Sequence, residues 1–309
     1  MASAQAVPAI LAIAVLIPMA AGLYDVSVGA LTNLCAILVV ELQTGHHVGM
    51  WWAIVATVAA GCLGGALNGF LVVKLHIDSF IVTLGTSVVF AAIQGIVSND
   101  AQPSPATASS WLNLTQHSVL GFQVVIIYVI VIALVVWWVL DHTPAGRYIY
   151  AIGGNAEAAR LSGVPVGRYR FATLVASGGL CGIGGILYGS LNGPSLTFGV
   201  ALLLPAFAAV FLGSTQVHPG RPNIWGTMTA VFMLATAVVG LQLVTGVQWL
   251  NAMFSGVALL VAVAFAVWRQ RHAGPGGIRL PLGRPAGRPA PEEHAIEQVT
   301  SALEHGAVE

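Results

Sequence analysis

Apolar residues in this chain come in long blocks, not in the strict alternation of a strand or the single stripe of a surface helix. The blocks fall near 8–22, 29–42, 50–73, 79–98, 119–140, 171–191, 199–213, 223–246 and 248–268, separated by Gly, Pro or charged residues. A helix rises about 1.5 Å per residue, so a block of ~20 residues crosses about 30 Å of hydrocarbon. The pattern therefore predicts an all-α fold, a polytopic transmembrane helix bundle of about nine spans. Blocks 29–42 and 199–213 are short, and each is open to a re-entrant or tilted reading instead. After Trp268 the composition changes to Arg, Gly, Pro and Glu. Such a stretch cannot bury enough apolar surface to fold, so 1–270 is expected to form the transmembrane domain and 271–309 a disordered tail.

Composition sharpens this picture. Of 309 residues 57% are hydrophobic and 7% charged, against roughly 25% charged in an ordinary soluble domain. Lys and Arg accumulate in cytoplasmic loops. Placing the C-terminus in the cytoplasm and alternating backwards puts Lys74, Arg147, Arg160, Arg168, Arg170 and Arg221 on that side, with none in the opposite loops 43–49, 98–118 and 191–198. Net charge is zero and no basic stripe exists, so no nucleic-acid partner is expected. Cys35, Cys62 and Cys181 lie inside apolar runs and read as small hydrophobic filler. His46, His47 and His117 fall in loops without metal-ligand spacing, so no metal site is expected. Trp51, Trp52, Trp111, Trp137 and Trp138 lie near span ends, as an interfacial belt would. Glycines four residues apart (Gly61, Gly65 and Gly69; Gly178 and Gly182; Gly185 and Gly189) predict closely approaching helices.

One substantial polar segment, 141–170, separates spans on the predicted cytoplasmic side. Asn155 suits an N-cap, 156–162 are mostly helix formers, Gly163 suits the position after the helix, and Pro165 blocks continuation. This predicts a helix of about two turns, too short to stand alone in water. Glu157 and Arg160, three apart, would share a face and could offer a charged pair to a partner; an ordinary structured loop is the alternative. At membrane depth the polar residues include Asp25, Ser27, Asn68, Thr83 and Thr86. A buried charge there is costly, so Asp25 is expected near an interface or a hydrated cavity, capping the helix that begins near Ser27. Asn68, Thr83 and Thr86 are candidates to line a path for a hydroxylated solute, with interhelical hydrogen bonding as the competing role.

Three stretches then converge. AIGGNAEAARLSGV (151–164), YDVSVGAL (24–31) and GALNGFLVVKLHIDSFIVTLGT (65–86) resemble elements of permeases from the ribose, xylose and galactose class of bacterial ATP-binding cassette importers, and the similarity extends loosely over most of 11–269. The resemblance implies two permease copies forming the path, most simply a homodimer in the lipid of the bacterial inner membrane. It also implies a cytoplasmic ATPase that holds ATP and Mg, and an extracytoplasmic sugar-binding protein. Gly153, Gly154, Asn155, Glu157, Arg160, Leu161, Ser162 and Gly163 match the coupling helix that docks on the ATPase. This chain has no G-x-x-x-x-G-K-[ST] phosphate loop, so no catalytic residue and no bound cofactor is expected in it. Departures occur at Asp78 and Ser79, where the family has two prolines, and near Gly213 and Gly220. Family members also carry a further span before 7–22. Its absence is read as a start downstream of the true one, with a real variation in topology as the alternative.

The competing class is a secondary transporter or channel that works without ATP. Ion-coupled carriers need intramembrane ionisable residues, and these spans hold almost none. A membrane-embedded enzyme ranks last, because no paired carboxylates, H-E-x-x-H motif or Ser elbow occurs at membrane depth. The sequence does not name the sugar.

Overall fold

The computed structural model describes residues 3–119 and 121–246, with isolated positions between 253 and 264. The apolar block at 248–268, apart from those isolated positions, and the tail at 271–309 therefore lie outside the described residues. The described chain is helical apart from one two-residue hairpin pair, Ser118–Val119 with Phe122–Gln123. Its helices are α1 (Ala6–Ala20), α2 (Val28–Thr44), α3 (Met50–Lys74), α4 (Ser79–Ser98), α5 (Ser109–Gln116), α6 (Val124–His142), α7 (Pro144–Gly154), α8 (Ala156–Leu161), α9 (Val166–Asn192), α10 (Phe198–Gly213) and α11 (Ile224–Thr245). Among the described residues six segments are long and apolar enough to cross a membrane: Ser3–Ala20, Met50–Lys74, Ser79–Ser98, Val124–His142, Val166–Asn192 and Ile224–Thr245. α2 and α10 are shorter apolar helices, about 25 Å long at the helical rise.

The core forms around α1 and α9. Leu11, Ile13 and Leu16 of α1 are fully buried, as are Leu174 and Cys181 of α9, so α1 is apolar on every side because every side meets protein. α9 crosses α3 where glycines remove the side chains between them. A Cβ added to Gly61, Gly65 or Gly178 would run into backbone of the facing helix. In lipid, where apolar side chains gain nothing by leaving the solvent, such close backbone approach supplies the van der Waals contact that holds helices together. α3, α4, α6 and α11 carry their large apolar side chains outward, among them Leu63, Val88, Ile130 and Phe232. This is the surface expected toward acyl chains.

Three sequence expectations change here. Segment 141–170 contains two helices before α9, not one: α7 begins at Thr143, whose hydroxyl accepts from Gly146 N at 3.3 Å, with Pro144 in the first turn. Proline there lacks an N–H that would have no intrahelical partner anyway. Segment 98–118 holds the additional helix α5. Trp111 of that helix is fully buried against Val40, Ala53 and Ile186 of its core cluster, so it is a packing residue and no part of an interfacial belt. Trp51, Trp52 and Trp138 are well exposed, as belt residues would be.

Candidate functional site

α8 is a single short helix bounded by local signals. Asn155 accepts from Glu157 N at 3.1 Å and Ala158 N at 3.0 Å, satisfying amides that the helix cannot pair itself. At the other end Gly163 adopts φ +83° and Val164 N reaches Ala159 O at 3.0 Å, the left-handed closure that glycine permits. Ser162 Oγ donates to Ala158 O at 2.9 Å. Ala159 faces inward, whereas Leu161 is 78% exposed. Arg160 makes a two-pronged pair with Glu157, Nη2 to Oε1 at 2.6 Å and Nε to Oε2 at 3.2 Å. Both side chains are about two-thirds exposed. The hydrogen bond from Arg160, then its charge, lowers the Glu157 pKa, and the same contact raises that of Arg160.

α7 anchors this exposed helix to the bundle. Its Ile149 and Ile152 are buried, and Gly153 lies so close to the end of α1 that a Cβ would strike Ala20 O. Gly22, at φ +74°, packs against Gly153 from the other side of the contact. Gly154 meets nothing comparable. Tyr150 Oη donates to Pro222 O at 2.9 Å, and the Arg221 guanidinium stands 4.5 Å from the Tyr150 ring while pairing with Asp141 at 3.2 Å. Burial, followed by the nearby Asp141, pushes the Tyr150 hydroxyl up to about 12, with Arg221 acting the other way. One aromatic side chain thus fastens α7 to the loop before α11. That loop is itself ordered by Asn223, which donates to Gly213 O at 3.2 Å and caps α11 through Gly226 N at 2.8 Å.

The polar residues inside the bundle gather around the connector 21–27 between α1 and α2. Asp25 is 2% exposed. It is enclosed by protein, and its donors are the backbone and hydroxyl of Ser27 and the hydroxyl of Ser177. Its Oδ1 accepts from Ser27 N at 3.1 Å and Ser27 Oγ at 2.7 Å, and its Oδ2 accepts from Ser177 Oγ at 3.1 Å. Asn68 Nδ2 donates to Ser27 Oγ at 2.7 Å. Thr83 Oγ1 accepts from Val26 N at 3.0 Å, approaches Tyr24 O at 3.1 Å and bonds back to Ser79 O at 2.8 Å. Ser79 Oγ accepts from Tyr24 N at 3.1 Å. Thr86 is buried with its hydroxyl 3.3 Å from Thr83 O. Asp25 holds the amide of Ser27, the residue just ahead of α2, while the first-turn amides of α2 receive no side-chain cap. Asn68 and Thr83 bond to the connector, and all three path candidates are buried. Among the described residues Asn68 Oδ1 has no hydrogen-bond partner. Asp78 and Ser79, the departures from the family's prolines, also have work here: Asp78 caps α4 through Phe80 N at 2.9 Å.

A second buried polar group, which sequence reasoning missed, surrounds the connector 193–197 between α9 and α10. Asn33 Nδ2 donates to Gln94 Oε1 at 2.8 Å and to Leu196 O, while its Oδ1 accepts from Gly199 N at 3.2 Å. Gln94 Nε2 also reaches Leu196 O at 3.1 Å. An amide at Asn33 within an apolar run was the available signal, because such a group must find partners in protein. A cavity of about 290 Å³ lies between α1, α10 and α11, apolar except for Gln5 and Gln242. Among the described residues no three His, Cys, Asp or Glu side chains gather as metal ligands.

Apolar spanning helices and backbone turns buried within protein define a multi-pass membrane protein, with one exposed charged helix tied to the end of the bundle. Residues 2–263 match the family model described as branched-chain amino acid transport system / permease component, and the chain belongs to that family. The chain is 31% identical over 258 residues to the fructose import permease protein FrcC of Rhizobium meliloti, covering 81% of this chain and 71% of the relative. Over 245 residues it is 30% identical to the ribose import permease protein RbsC of Escherichia coli K12, covering 77% and 75%. It is 32% identical over 249 residues to the autoinducer 2 import system permease protein LsrD of Escherichia coli O9:H4, covering 77% and 74%. No solved structure matches it.

Proposed function

We propose that this chain is the membrane-spanning permease subunit of an ATP-binding cassette importer in the bacterial inner membrane, translocating a simple sugar or related polyol. The fructose and ribose permeases among its relatives support the substrate class. On this reading a binding protein delivers the solute, a second copy of the chain completes the path in the lipid bilayer, and a cytoplasmic ATPase with ATP and Mg supplies the energy. About nine spans and a cytoplasmic C-terminus belong to this reading. The path role of Asn68, Thr83 and Thr86 requires that the helices around them part, since all three are buried.

The observation that carries the reading is the exposed Glu157–Arg160 pair on a six-residue helix. A helix this short does not persist by itself, yet the fold positions it and leaves its charged face and Leu161 uncovered. Gly153 to Gly163 then form the ATPase-docking element. Reversing both charges, Glu157→Arg with Arg160→Glu, is expected to reduce co-purification of the ATPase while leaving the permease in the membrane fraction. Undiminished co-purification would refute the docking assignment.

A further inference from the structure

The docking element and the polar residues inside the bundle meet at one place, the connector 21–27. Its first residues touch the docking element directly: Gly153 of α7 is pressed against Ala20 O and Gly22 with no side chain between them. A few residues on, the same connector is bonded to three spanning helices. α4 holds Tyr24 N through Ser79 Oγ and Val26 N through Thr83 Oγ1. α9 reaches it through Ser177 to Asp25, and α3 through Asn68 to Ser27. Ser177 is about 16 Å along α9 from its first residue at the helical rise, so the connector carries the contact from the end of the bundle well into it.

The strength of attachment differs among these helices. α3 and α9 are locked to each other by backbone contact at Gly61, Gly65 and Gly178. Most of α4 is uncovered, including Ile81, Leu84, Val88 and Ile96. A push on the connector thus meets a rigid α3–α9 pair on one side and, on the other, α4, which packs on α2 and touches α3 little. Packed elements respond to such a push by small discrete shifts, not by continuous deformation.

We propose that the connector is the mechanical relay from the docking element to the membrane helices. Asp25 is the positioning residue that fixes it to α9 and, through Ser27, to α3, and Thr83 is the one that grips α4. The proposal rests on the docking reading above for the source of the movement. It adds where that movement enters the bundle and which helix it displaces.

The test uses the complex of the full-length permease with its ATPase in lipid nanodiscs. Cys35, Cys62 and Cys181 are replaced by alanine, and nitroxide labels are placed through Leu63→Cys on α3 and Val88→Cys on α4, both exposed positions. Spin–spin distances are compared without nucleotide and after trapping with ATP and vanadate. The parent is expected to show an α3–α4 change of about 2 Å or more, the size of an ordinary helix shift. Asp25→Asn and the near-isosteric Thr83→Val are each expected to reduce that change at least threefold, with ATPase co-purification and the KM for ATP unchanged. Lost stability alone would not produce that split. Ser177→Ala, which removes a single donor to Asp25, should give an intermediate change and decides the matter if Asp25→Asn does not fold. An unmoved parent, or substituted proteins that move as far as the parent, would overturn the relay. Charge reversal on α8, scored by co-purification in the same preparations, reports separately on the docking reading.

Discussion

The two non-helical connectors within the bundle, 21–27 and 193–197, solve one problem with different chemistry. Backbone polar groups shut away from water must be paired inside the protein, because leaving them unpaired is costly. Around 193–197 the partners are the neutral amides of Asn33 and Gln94, which take Leu196 O and Gly199 N. Around 21–27 they are hydroxyls of Ser79 and Thr83 together with the carboxyl of Asp25. The amide-held connector touches only spanning helices through these groups; the carboxyl-held one also abuts α7 at Gly153. A neutral amide clasp closes a turn. A carboxyl that accepts from α2's approach and from α9 joins the connector to both.

Substitutions can break this contrast in order of effect. Asp25→Leu leaves three donors, Ser27 N, Ser27 Oγ and Ser177 Oγ, without their acceptor. A loss of about 3 kcal/mol is expected from unsatisfied buried groups, read as a large fall in the thermal unfolding midpoint in detergent. Asn33→Leu strands Gln94 Oε1 and Gly199 N but leaves Leu196 O bonded to Gln94 Nε2, so its expected cost is smaller, about 2 kcal/mol in the same assay. Equal costs would mean that the carboxyl adds nothing to the inner connector. Tyr150→Phe removes one hydrogen bond to Pro222 O, worth about 1 kcal/mol. An unmoved unfolding midpoint would show that this bond does not hold α7 to the loop before α11.

The exposed pair on α8 should affect stability least. Charge reversal at Glu157 and Arg160 is expected to leave the unfolding midpoint unmoved, because exposed pairs are screened by solvent, while ATPase co-purification falls. The pH dependence has a definite sign. Glu157 titrates lower in the folded chain than its ordinary value, through the Arg160 hydrogen bond and then its charge. Its contribution is therefore present above the ordinary glutamate range and is lost as pH falls through the lowered value. Carbon-13 NMR of labelled Glu157 should show that lowered titration, and Arg160→Gln should bring it back up. An unshifted glutamate in the native chain would dissolve the pair.

Short-range signals account for the parts of the site that are legible in the sequence. Asn155 as cap, Gly163 as terminator and the Glu157–Arg160 spacing each act within a few residues, and all three recur in α8. Thr143–Pro144 is a comparable signal for α7, but a weaker one inside a segment that already accommodates a helix, and α5 hides Trp111 inside a stretch with the composition of a polar loop. The glycine spacing on α3 and α9 encodes the need for close approach, but not which glycine meets which helix.

Sequence by itself determined that the chain must live in a bilayer, that it is helical, and where a short capped helix interrupts the spans, because hydropathy, propensity and capping are properties of neighbouring residues. Only tertiary structure decided that Asp25 is buried in protein and bonded to Ser177, 152 positions away, and that Asn68 and Thr83 hold a connector. Those partners are selected by how the helices pack around the α3–α9 crossing, and no local pattern encodes the distance between a carboxyl on one helix approach and a hydroxyl on another.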